Sequence, residues 1–262
     1  MAELNIDLHP AQLQIFHSKK RFKIVAAGRR FGKSYLSAWL LLINAIQSES
    51  KDVFYVAPTF QQGKDIMWSL LKELGQDLIA AAHENTATLT LINGRKIYIK
   101  GSDRPDTLRG NAASFLVLDE YSSMKPVVWE QILRPVLADV RGSCLMISTP
   151  AGKNHFYDTY NDALEDDDWD AFQFNSTDNP FLPEDEVEAA RKNMSSMAFR
   201  QEFEASFETG SGGIFKEDWF KVDDEPEEGN FVIAVDPAGY EAIEQERNLK
   251  RSRLDETAIA IV

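Results

Sequence analysis

Short apolar runs alternate with longer segments of helical periodicity along the first 150 residues of the chain. Four of these runs have the length and composition of buried strands: residues 22–28, 52–57, 114–120 and 143–150. Between them, residues 34–46 and 62–74 repeat apolar side chains every three or four positions, as helices packed on a sheet do. This alternation predicts an α/β fold in which crossover helices flank a mainly parallel central sheet.

Two other segments of this region have a pattern of their own. Residues 86–102 alternate apolar and polar positions on both sides of Asn93-Gly94, which is a strong signal for a β-hairpin. Residues 126–140 have helical periodicity in spite of Pro135, and they are predicted to form the helix between the last two of the four strands.

After residue 150 the pattern becomes mainly helical. A helix is predicted from Pro183, because proline suits a first helical turn and the acidic residues 184–186 interact favourably with a helix N-terminus. Its apolar stripe is expected to pack into the core and consists of Val187, Ala190, Met194, Met197 and Phe203. The glycine-rich residues 209–213 predict a linker, and the acidic runs 164–170 and 222–229 are interpreted as solvated loops.

Composition excludes several classes of protein. With 262 residues, of which 44% are hydrophobic, the chain is long enough for one large domain or two smaller ones. The longest apolar run, residues 38–46, is too short to span a bilayer, and the N-terminus has no basic or apolar signal region. The single cysteine, Cys144, cannot form an internal disulfide, which suits a reducing cytosol. We therefore expect a soluble protein that does not bind a membrane.

The formal net charge of −14 is distributed unevenly along the chain. Residues 1–150 contain 18 Lys and Arg against 14 Asp and Glu, whereas residues 151–262 contain 10 against 28. A basic excess in the first part of the chain is compatible with a polyanionic partner, although the whole chain is acidic. Net charge therefore does not exclude binding to nucleic acid.

The sequence AAGRRFGKS, at the end of the first predicted strand, has the pattern of a phosphate-binding loop. In such a loop Gly32 lets the backbone approach the phosphates, Lys33 reaches the β and γ phosphates, and Ser34 holds Mg²⁺. Ala27 occupies the position of the usual first glycine, and we expect Ala27-Gly28 to move the tight turn by one residue. Because a Gly-Lys-Ser triplet also occurs by chance, the loop needs support from elsewhere in the chain.

An apolar strand that ends in two carboxylates supplies this support. Asp119 is suited to ordering Mg²⁺ through water, and Glu120 to orienting and deprotonating an attacking water molecule. The alternative is that both acids only cap the helix that follows them. The next strand ends at Ser148 and Thr149, which we expect to lie beside the γ-phosphate and to sense it. Together these motifs predict an ATPase.

In combination, the motifs resemble those of the large terminase subunit, the DNA-packaging motor of tailed bacteriophages. The resemblance rests on LHPAQ, GRRFGKS, LRGNAASFLVLDE, ISTPAGKNHFYD and FRQEFEASF, in the family's order and spacing, and it covers essentially the whole chain. It implies a RecA-like ASCE P-loop ATPase with a core at 1–150, a helical lid at 151–208 and a linker at 209–229. Residues 230–262 would then be the truncated start of an RNase H-like nuclease domain. Terminase P-loops commonly lack the first glycine, which agrees with Ala27.

The resemblance also implies roles for residues outside the two central motifs. By likeness to the family, Gln12 contacts adenine and Arg29 senses the state of the nucleotide. Arg109 is similar to the family's arginine finger, which enters the active site of a neighbouring subunit, so a monomer would hydrolyse ATP poorly. The alternative for Arg29 is a generic basic loop, and for Arg109 it is a salt bridge to Asp103 or Asp106.

For the nuclease part, the resemblance assigns the first metal-binding carboxylate to Asp236, with Asp255 as a weaker candidate. Two-metal cleavage needs several carboxylates that converge from different strands. The sequence ends within the second predicted strand of this part, so we expect nuclease activity, with Mg²⁺ or Mn²⁺, only of a longer chain. The four histidines are scattered and do not have metal-ligand spacing.

The implied function is translocation of double-stranded viral DNA into a procapsid, driven by hydrolysis of ATP with Mg²⁺. The implied partners are double-stranded DNA, the small terminase subunit, the portal protein and further copies of the chain in a ring, in the cytoplasm of the infected bacterial host. DNA would be held at its phosphates without sequence readout. Residues 59–64 and the side chains of Arg95, Lys96 and Lys100 are candidates for this grip, and the alternative for each is an ordinary solvated side chain.

Two other functions remain open at this point. A helicase-like DNA-dependent ATPase would have the same loop and carboxylates, but a second ATPase-like half with its own arginine-bearing element is not visible in the sequence. A nucleotide-gated DNA-binding module would bind without hydrolysis, and the presence of Glu120 beside Asp119 counts against it.

Overall fold

The structure of the protein is a computed structural model that describes residues 6–49, 51–109 and 112–208 and the backbone of residues 233–236 and 258–261. The chain divides into two compact units, Met1–Gly213 and Ile214–Val262. Within the described residues, no helix is long and apolar enough to cross a membrane.

An eight-stranded sheet forms the centre of the first unit. Its strands are β1 (Phe22–Ala27), β2 (Asp52–Ala57), β3 (Ile79–His83), β4 (Thr88–Leu91), β5 (Lys96–Gly101), β6 (Ala113–Asp119), β7 (Ser143–Ser148) and β8 (Trp169–Phe174). They lie in the order β3-β4-β5-β2-β6-β7-β1-β8. From β5 to β8 in this order all neighbours are parallel, whereas the pairs β3-β4 and β4-β5 are antiparallel. The predicted mainly parallel sheet is confirmed, and so is the hairpin around Asn93-Gly94, which joins β4 to β5.

Helices cover both faces of the sheet because the central strands are apolar on both sides. The helices of the first unit are α1 (Pro10–His17), α2 (Lys33–Gln47), α3 (Phe60–Leu74), α4 (Arg134–Val136), α5 (His155–Glu165), α6 (Glu184–Asn193) and α7 (Ser196–Phe203). Successive strand residues point to opposite faces. In β1, Val25 therefore belongs to the core formed with α1, α2 and α3, and Ile24 to the core formed with α5 and the segment before it.

The helix predicted over residues 126–140 is irregular. A π-helix spans Val128–Leu133, and only the three residues of α4 follow it in α-helical form. Pro135 has no amide hydrogen to donate to the carbonyl four residues before it, so regular α-helical bonding cannot continue through this segment. The position of the helix was predicted correctly, but its type was wrong.

Two edge strands were not predicted from the sequence. β3 is rich in alanine and largely exposed, and it forms by pairing with β4. β8 pairs with β1 along its whole length. The interpretation of residues 164–170 as a solvated loop was wrong at both ends, because α5 extends to Glu165 and β8 begins at Trp169.

The helical region from Pro183 consists of two helices and not one. α6 begins at Glu184 as predicted but ends at Asn193, and the Ser195 side chain then caps α7 by accepting a hydrogen bond from the Ala198 amide. This break changes which residues face inward. Of the predicted apolar stripe only Val187 is fully buried, Met197 is exposed, and Phe199 occupies the buried position on α7.

The second unit is described only by two strands. β9 (Ile233–Asp236) and β10 (Ala258–Ile261) pair antiparallel, with Asp236 opposite Ala258. Both strands were predicted, although their nuclease identity stays a prediction. The predicted linker at 209–229 and Asp255 lie outside the described residues.

Candidate functional site

The loop predicted to bind phosphate connects the end of β1 to the start of α2. Its left-handed residues are Arg30, with a φ of 62°, and Gly32, with a φ of 96°. Ala27 is still part of β1 and is fully buried, so it lies where the backbone needs no unusual conformation. The turn begins at Gly28, whose carbonyl accepts a hydrogen bond from the Phe31 amide at 3.4 Å, so the predicted shift by one residue from Ala27 is confirmed.

A glycine is needed at position 28 because residues 174–203 pass close to its backbone, and not because the backbone there has an unusual conformation. A Cβ at this position would overlap Oγ of Ser176 and would lie 2.6 Å from the backbone oxygen of Phe203. The Gly28 amide also donates to the carbonyl of Phe174 at 3.1 Å. A larger residue could not be placed here without moving the 174–203 segment away from the loop.

The 174–203 segment also binds the next two carbonyl groups of the loop. Ser176 Oγ donates to the Arg29 carbonyl at 2.6 Å, and Asn179 Nδ2 donates to the Arg30 carbonyl at 2.7 Å. On α7, the carboxylate of Glu202 forms an ion pair with the Arg29 guanidinium. The conformation of the loop therefore depends on residues that are distant along the chain.

The N-terminal helix holds the other end of the loop. Gln12 Nε2 donates to the Gly32 carbonyl at 3.0 Å, and the His9 amide donates to Gln12 Oε1 at 3.2 Å. Nε2 of His9 lies 2.9 Å from the carbonyl oxygen of Phe31. Both polar groups of the Gln12 amide are thus engaged, and the residue is buried. Its predicted contact with adenine stays a prediction.

Lys33 lies inside the curve of the loop. Its Nζ donates to the carbonyls of Ala27 and Gly28 at 2.9 and 3.0 Å and to Oγ1 of Thr149 at 2.9 Å. Burial lowers the pKa of the Lys33 ammonium, and the carboxylates of Glu120 and Asp119 oppose this effect. A desolvated ammonium of this kind gains stability from a bound anion.

Asp119 is a buried carboxylate at the end of β6, and only 3% of it is exposed. The Tyr55 hydroxyl donates to Oδ2, and the Glu120 amide donates to Oδ1 at 3.0 Å. Burial and the neighbouring Glu120 carboxylate raise the pKa of Asp119 to about 6. A cation bound here would compensate the cost of burying this charge.

Glu120 begins the turn that leaves β6, with a φ of 53°. Its Oε2 lies 3.3 Å from the hydroxyl of Ser148, which lies 2.7 Å from the hydroxyl of Ser122. Neither Asp119 nor Glu120 uses its carboxylate to cap the turn at Tyr121–Ser123. The arrangement therefore does not favour the capping alternative, and it orients Glu120 through the serine at the end of β7.

These residues surround an open pocket of about 560 Å³, which we call the P-loop pocket. The predicted site residues that line it are Arg29, Lys33, Asp119, Glu120 and Thr149. Its volume is in the usual range for small-molecule sites. Because three cationic side chains and three carboxylates line the same pocket, it can hold a phosphate chain together with a divalent cation.

Three other predicted residues lie at or against the end of the loop but are not among the residues that line the pocket. Gly32 is the N-cap of α2, and Ser34 follows Lys33 in the first turn of this helix, where it is half-buried. Gln12 lies against the Gly32 carbonyl, as described above.

Arg109 is not among the residues of the P-loop pocket. It lines a separate cavity together with residues of the 131–139 segment. Its Nε lies 3.6 Å from the Asp106 carboxylate, an ion pair that the alternative interpretation included. More than half of the Arg109 side chain is exposed, so this pair contributes little to stability.

Asp236, the predicted nuclease ligand, ends β9 in the second unit, and its side chain is outside the described residues. In the described part of the chain, no group of three or more His, Cys, Asp or Glu residues is arranged to hold a metal ion.

Sequence reasoning missed several residues that position the site. Tyr55 lies in an otherwise apolar strand, and only its hydroxyl group indicated that it could bind a polar partner such as Asp119. His9 precedes Pro10 with Gln12 three positions on, which is the spacing of a capping box and was detectable. Asn179 and Glu202 gave no local signal, because their partners lie in the loop more than a hundred residues away.

Comparisons with known proteins agree with this geometry. A family model described as the N-terminal part of T4likevirus-type terminase large subunits matches residues 24–222. The chain is similar to the terminase large subunit of Escherichia phage T5, with 30% identity over 207 residues, which is 75% of this chain and 46% of that protein. It spans about half the length of the curated relatives that it matches.

Solved structures give the same result for the fold. The ATPase domain of the large terminase of Thermus phage P74-26 superposes with a TM-score of 0.68 at 24% identity, over 77% of this chain and 94% of that domain. The large terminase of another thermophilic bacteriophage, in complex with ADP, superposes with a TM-score of 0.69 at 16% identity, over 88% of this chain and 62% of that protein. The α/β fold is therefore that of terminase ATPase domains.

Proposed function

The chain belongs to the terminase large subunit family, and we propose that its first unit is the ATPase that drives double-stranded viral DNA into a procapsid. The observation that carries this proposal is the P-loop pocket, which is lined by Lys33 and by the carboxylates of Asp119 and Glu120. Strand β7 lies between β1 and β6, an order that supports the RecA-like ASCE class of P-loop ATPase.

We assign phosphate binding to Lys33 and to the backbone amides at the start of α2. The Lys33 ammonium is desolvated and donates to the Ala27 and Gly28 carbonyls and to Thr149, and it would exchange one of these partners for a γ-phosphate oxygen. Thr149 contacts the same ammonium and would sense the γ-phosphate through it. Arg29 would exchange its partner Glu202 for phosphate oxygens, consistent with a role in sensing nucleotide state.

We assign Mg²⁺ binding to Ser34 and Asp119. The donor types fit this ion, because a buried carboxylate and a serine hydroxyl are oxygen ligands of the kind that a hard cation prefers. When bound, Mg²⁺ supplies charge neutralisation on the phosphate chain. Tyr55 fixes one oxygen of Asp119 and leaves the carboxylate in a single orientation.

The chemical step is assigned to Glu120. Its carboxylate accepts a proton from a water molecule while the water oxygen attacks the γ-phosphorus and the bond to the leaving ADP breaks. Ser148 and Ser122 hold the Glu120 carboxylate at the end of β7. Arg109 is outside the pocket of its own chain and is proposed to complete the pocket of a neighbouring copy in a ring.

The wider assembly follows from the family. We propose double-stranded DNA, the small terminase subunit and the portal protein as partners, in the cytoplasm of the infected host. Thr59 and Lys100, from the two candidate DNA-gripping segments, line one cavity of about 440 Å³, which supports a common phosphate contact. Nuclease activity at Asp236 is proposed only for a longer chain.

The experiment that tests the ATPase proposal is turnover against protein concentration, with and without double-stranded DNA, for the wild type and Glu120→Gln. Loss of a general base should lower turnover about 100-fold or more while ATP binding is retained. Glu73→Gln is the matched control, because Glu73 is exposed on α3 and does not line the pocket. Turnover should rise faster than linearly with concentration if a neighbour completes each site.

Two results would contradict the proposal. Equal turnover of wild type and Glu120→Gln would exclude Glu120 as the base. Nucleotide binding without turnover in both proteins would indicate a nucleotide-gated clamp.

A further inference from the structure

Gln62 lies in the first turn of α3 and lines the P-loop pocket, although the chemical step assigned to Glu120 does not use it. It belongs to the candidate DNA-gripping residues 59–64, but it does not border the cavity that Thr59 and Lys100 line. The residue is exposed. An exposed amide in the wall of a pocket is available to a ligand.

We propose that Gln62, together with Glu120, orients the water molecule that attacks the γ-phosphorus. This inference rests on the proposed ATPase function and adds a second residue to its chemical step.

The topology of the sheet places Gln62 on the same side of the pocket as Glu120. β2 and β6 are parallel neighbours with Val56 opposite Leu118, so the two strands end at the same level. Glu120 directly follows β6, and α3 follows β2 after two residues. The loop after β1 is farther away, because β7 lies between β1 and β6. A water molecule between a loop-bound γ-phosphate and Glu120 is therefore on the Gln62 side of the pocket.

The side chain of Gln62 is held by Thr59. The Thr59 hydroxyl donates to Oε1 of Gln62 at 3.0 Å and accepts a hydrogen bond from the Gln62 backbone amide at 3.2 Å. No other hydrogen bond among the described residues involves the Gln62 side chain. Because an amide oxygen accepts two hydrogen bonds, Oε1 can accept one from a water molecule and keep its bond to Thr59. Nε2 can donate to a γ-phosphate oxygen at the same time.

Two hydroxyl groups of the same pocket already have partners. Ser122 is bound to Ser148, and Thr149 accepts a hydrogen bond from Lys33. Gln62 differs from both, because its support by Thr59 leaves its amide able to bind a water molecule.

In the proposed step, the water molecule donates one hydrogen bond to the Glu120 carboxylate and the other to Oε1 of Gln62. The first hydrogen moves to Glu120 as the water oxygen bonds to the γ-phosphorus and the bond to the leaving ADP breaks. The second hydrogen stays on this oxygen, which becomes part of inorganic phosphate. Gln62 therefore fixes the direction of attack and exchanges no proton.

Gln62→Met tests the proposal, because methionine keeps the length of the side chain and lacks the amide. Turnover of ATP with Mg²⁺ is measured for the full chain without DNA, at one protein concentration for all variants. The kcat should fall about 10- to 100-fold with little change in KM, which is a typical effect when a reacting group loses its orientation. The Tm should change little, because Gln62 is exposed.

A binding comparison separates orientation of the water from a merely structural role. ADP with aluminium fluoride mimics the transition state, including the attacking water, whereas a non-hydrolysable ATP analogue represents the bound substrate. Gln62→Met should weaken binding of ADP with aluminium fluoride about 10- to 100-fold and leave the affinity for the ATP analogue unchanged.

Two further sets of variants complete the test. Gln76→Met is the matched control, because Gln76 is exposed in the turn after α3 and does not line the pocket. Its kcat and both affinities should equal those of the wild type. Thr59→Val removes the support of the Gln62 amide and should change kcat in the same direction as Gln62→Met, whereas Thr59→Ser should retain the wild-type value.

Three results would overturn the inference. A wild-type kcat in Gln62→Met would mean that Gln62 does not act on the water. Equal weakening of both ligands would mean that Gln62 only shapes the pocket, and a lower kcat with unchanged binding of ADP and aluminium fluoride would mean that it acts on another step. If the wild type itself binds neither ligand, the ATPase proposal fails, and the role of Gln62 fails with it.

Discussion

Polar residues at the start of α2, within β2 and at the end of β6 decide the chemistry of the P-loop pocket. Lys33 and Asp119 are both taken out of water, and each is held by neutral partners: loop carbonyls for Lys33 and the Tyr55 hydroxyl for Asp119. Burial of charge is unfavourable unless hydrogen bonds or counterions compensate it. A bound phosphate and a bound cation would compensate these buried charges. Without the two ligands, the buried charges lower the stability of the folded protein.

Tyr55→Phe tests the contribution of one such neutral partner. Removing the hydroxyl deprives a buried carboxylate of a hydrogen bond, which should lower the free energy of unfolding by about 1.5–3 kcal/mol. Thermal unfolding without nucleotide should show a fall in Tm of roughly 3–10 °C.

Tyr98→Phe provides the comparison. Tyr98 lies on β5, the parallel neighbour of β2. None of the hydrogen bonds in the described part of the chain uses the Tyr98 hydroxyl, so the Tm of the Tyr98→Phe variant should differ little from that of the wild type. If Tyr55→Phe unfolds at the wild-type temperature, the Tyr55 hydroxyl does not stabilise Asp119.

At the scale of elements, the loop after β1 is held by direct hydrogen bonds to the 174–203 segment. Three consecutive loop residues, Gly28, Arg29 and Arg30, are bound by this segment through backbone and side-chain hydrogen bonds. A change in the loop on nucleotide binding would therefore act directly on residues 174–179 and on α7. This contact is the physical link through which nucleotide state would move the segment.

Gly28→Ala is expected to disrupt this link. The added Cβ would meet the Phe203 carbonyl and the Ser176 hydroxyl, and a backbone carbonyl cannot rotate away as a flexible side chain would. Overpacking of this kind typically costs about 1–3 kcal/mol. Denaturant unfolding should show that loss, and limited proteolysis should cut the 174–203 segment faster than in the wild type.

Ala27→Gly is the neighbouring control and also tests the role of the missing glycine. Ala27 is in strand geometry, so glycine should cost only about 0.5–1 kcal/mol. Turnover should not increase. A clear rise in turnover would mean that the loop does need a glycine at position 27.

At the scale of the whole molecule, the proposed arginine finger lies outside the P-loop pocket of its own chain. Lys33, Asp119 and Glu120, to which we assign phosphate, metal and water, line the P-loop pocket, whereas Arg109 lines a different cavity. The weak ion pair of Arg109 with the exposed Asp106 leaves its guanidinium able to change partners at low cost. A ring of copies would bring the two surfaces together.

A mixing experiment tests this arrangement. Lys33→Ala and Arg109→Ala should each lower turnover about 1,000-fold or more when assayed alone. In an equal mixture with random assembly, about a quarter of the sites would combine an intact Lys33 with an intact Arg109 from the neighbour. The mixture should therefore recover about a quarter of the wild-type turnover. The absence of recovery at every mixing ratio would rule out a shared site.

The local patterns of the chain were sufficient for most of the fold. Continuous apolar runs predicted β1, β2, β6 and β7 because parallel strands covered on both faces have no polar face. The same patterns did not predict β3 and β8, which are the edge strands of the sheet. These two segments form strands because they pair with β4 and β1, and not because of their own composition. Pro135 was visible in the sequence, but the π-helix that accommodates it was not.

For the site, the sequence by itself determined the chemistry, and the tertiary structure decided its arrangement. Lys33, Asp119 and Glu120 could be identified because a phosphate loop and a strand ending in two acids are local patterns. The support by Tyr55, the contact of Gly28 with Phe203 and the separation of Arg109 from the pocket could not. These features depend on contacts between residues far apart along the chain, which form only when the sheet order and the packing of both layers bring them together.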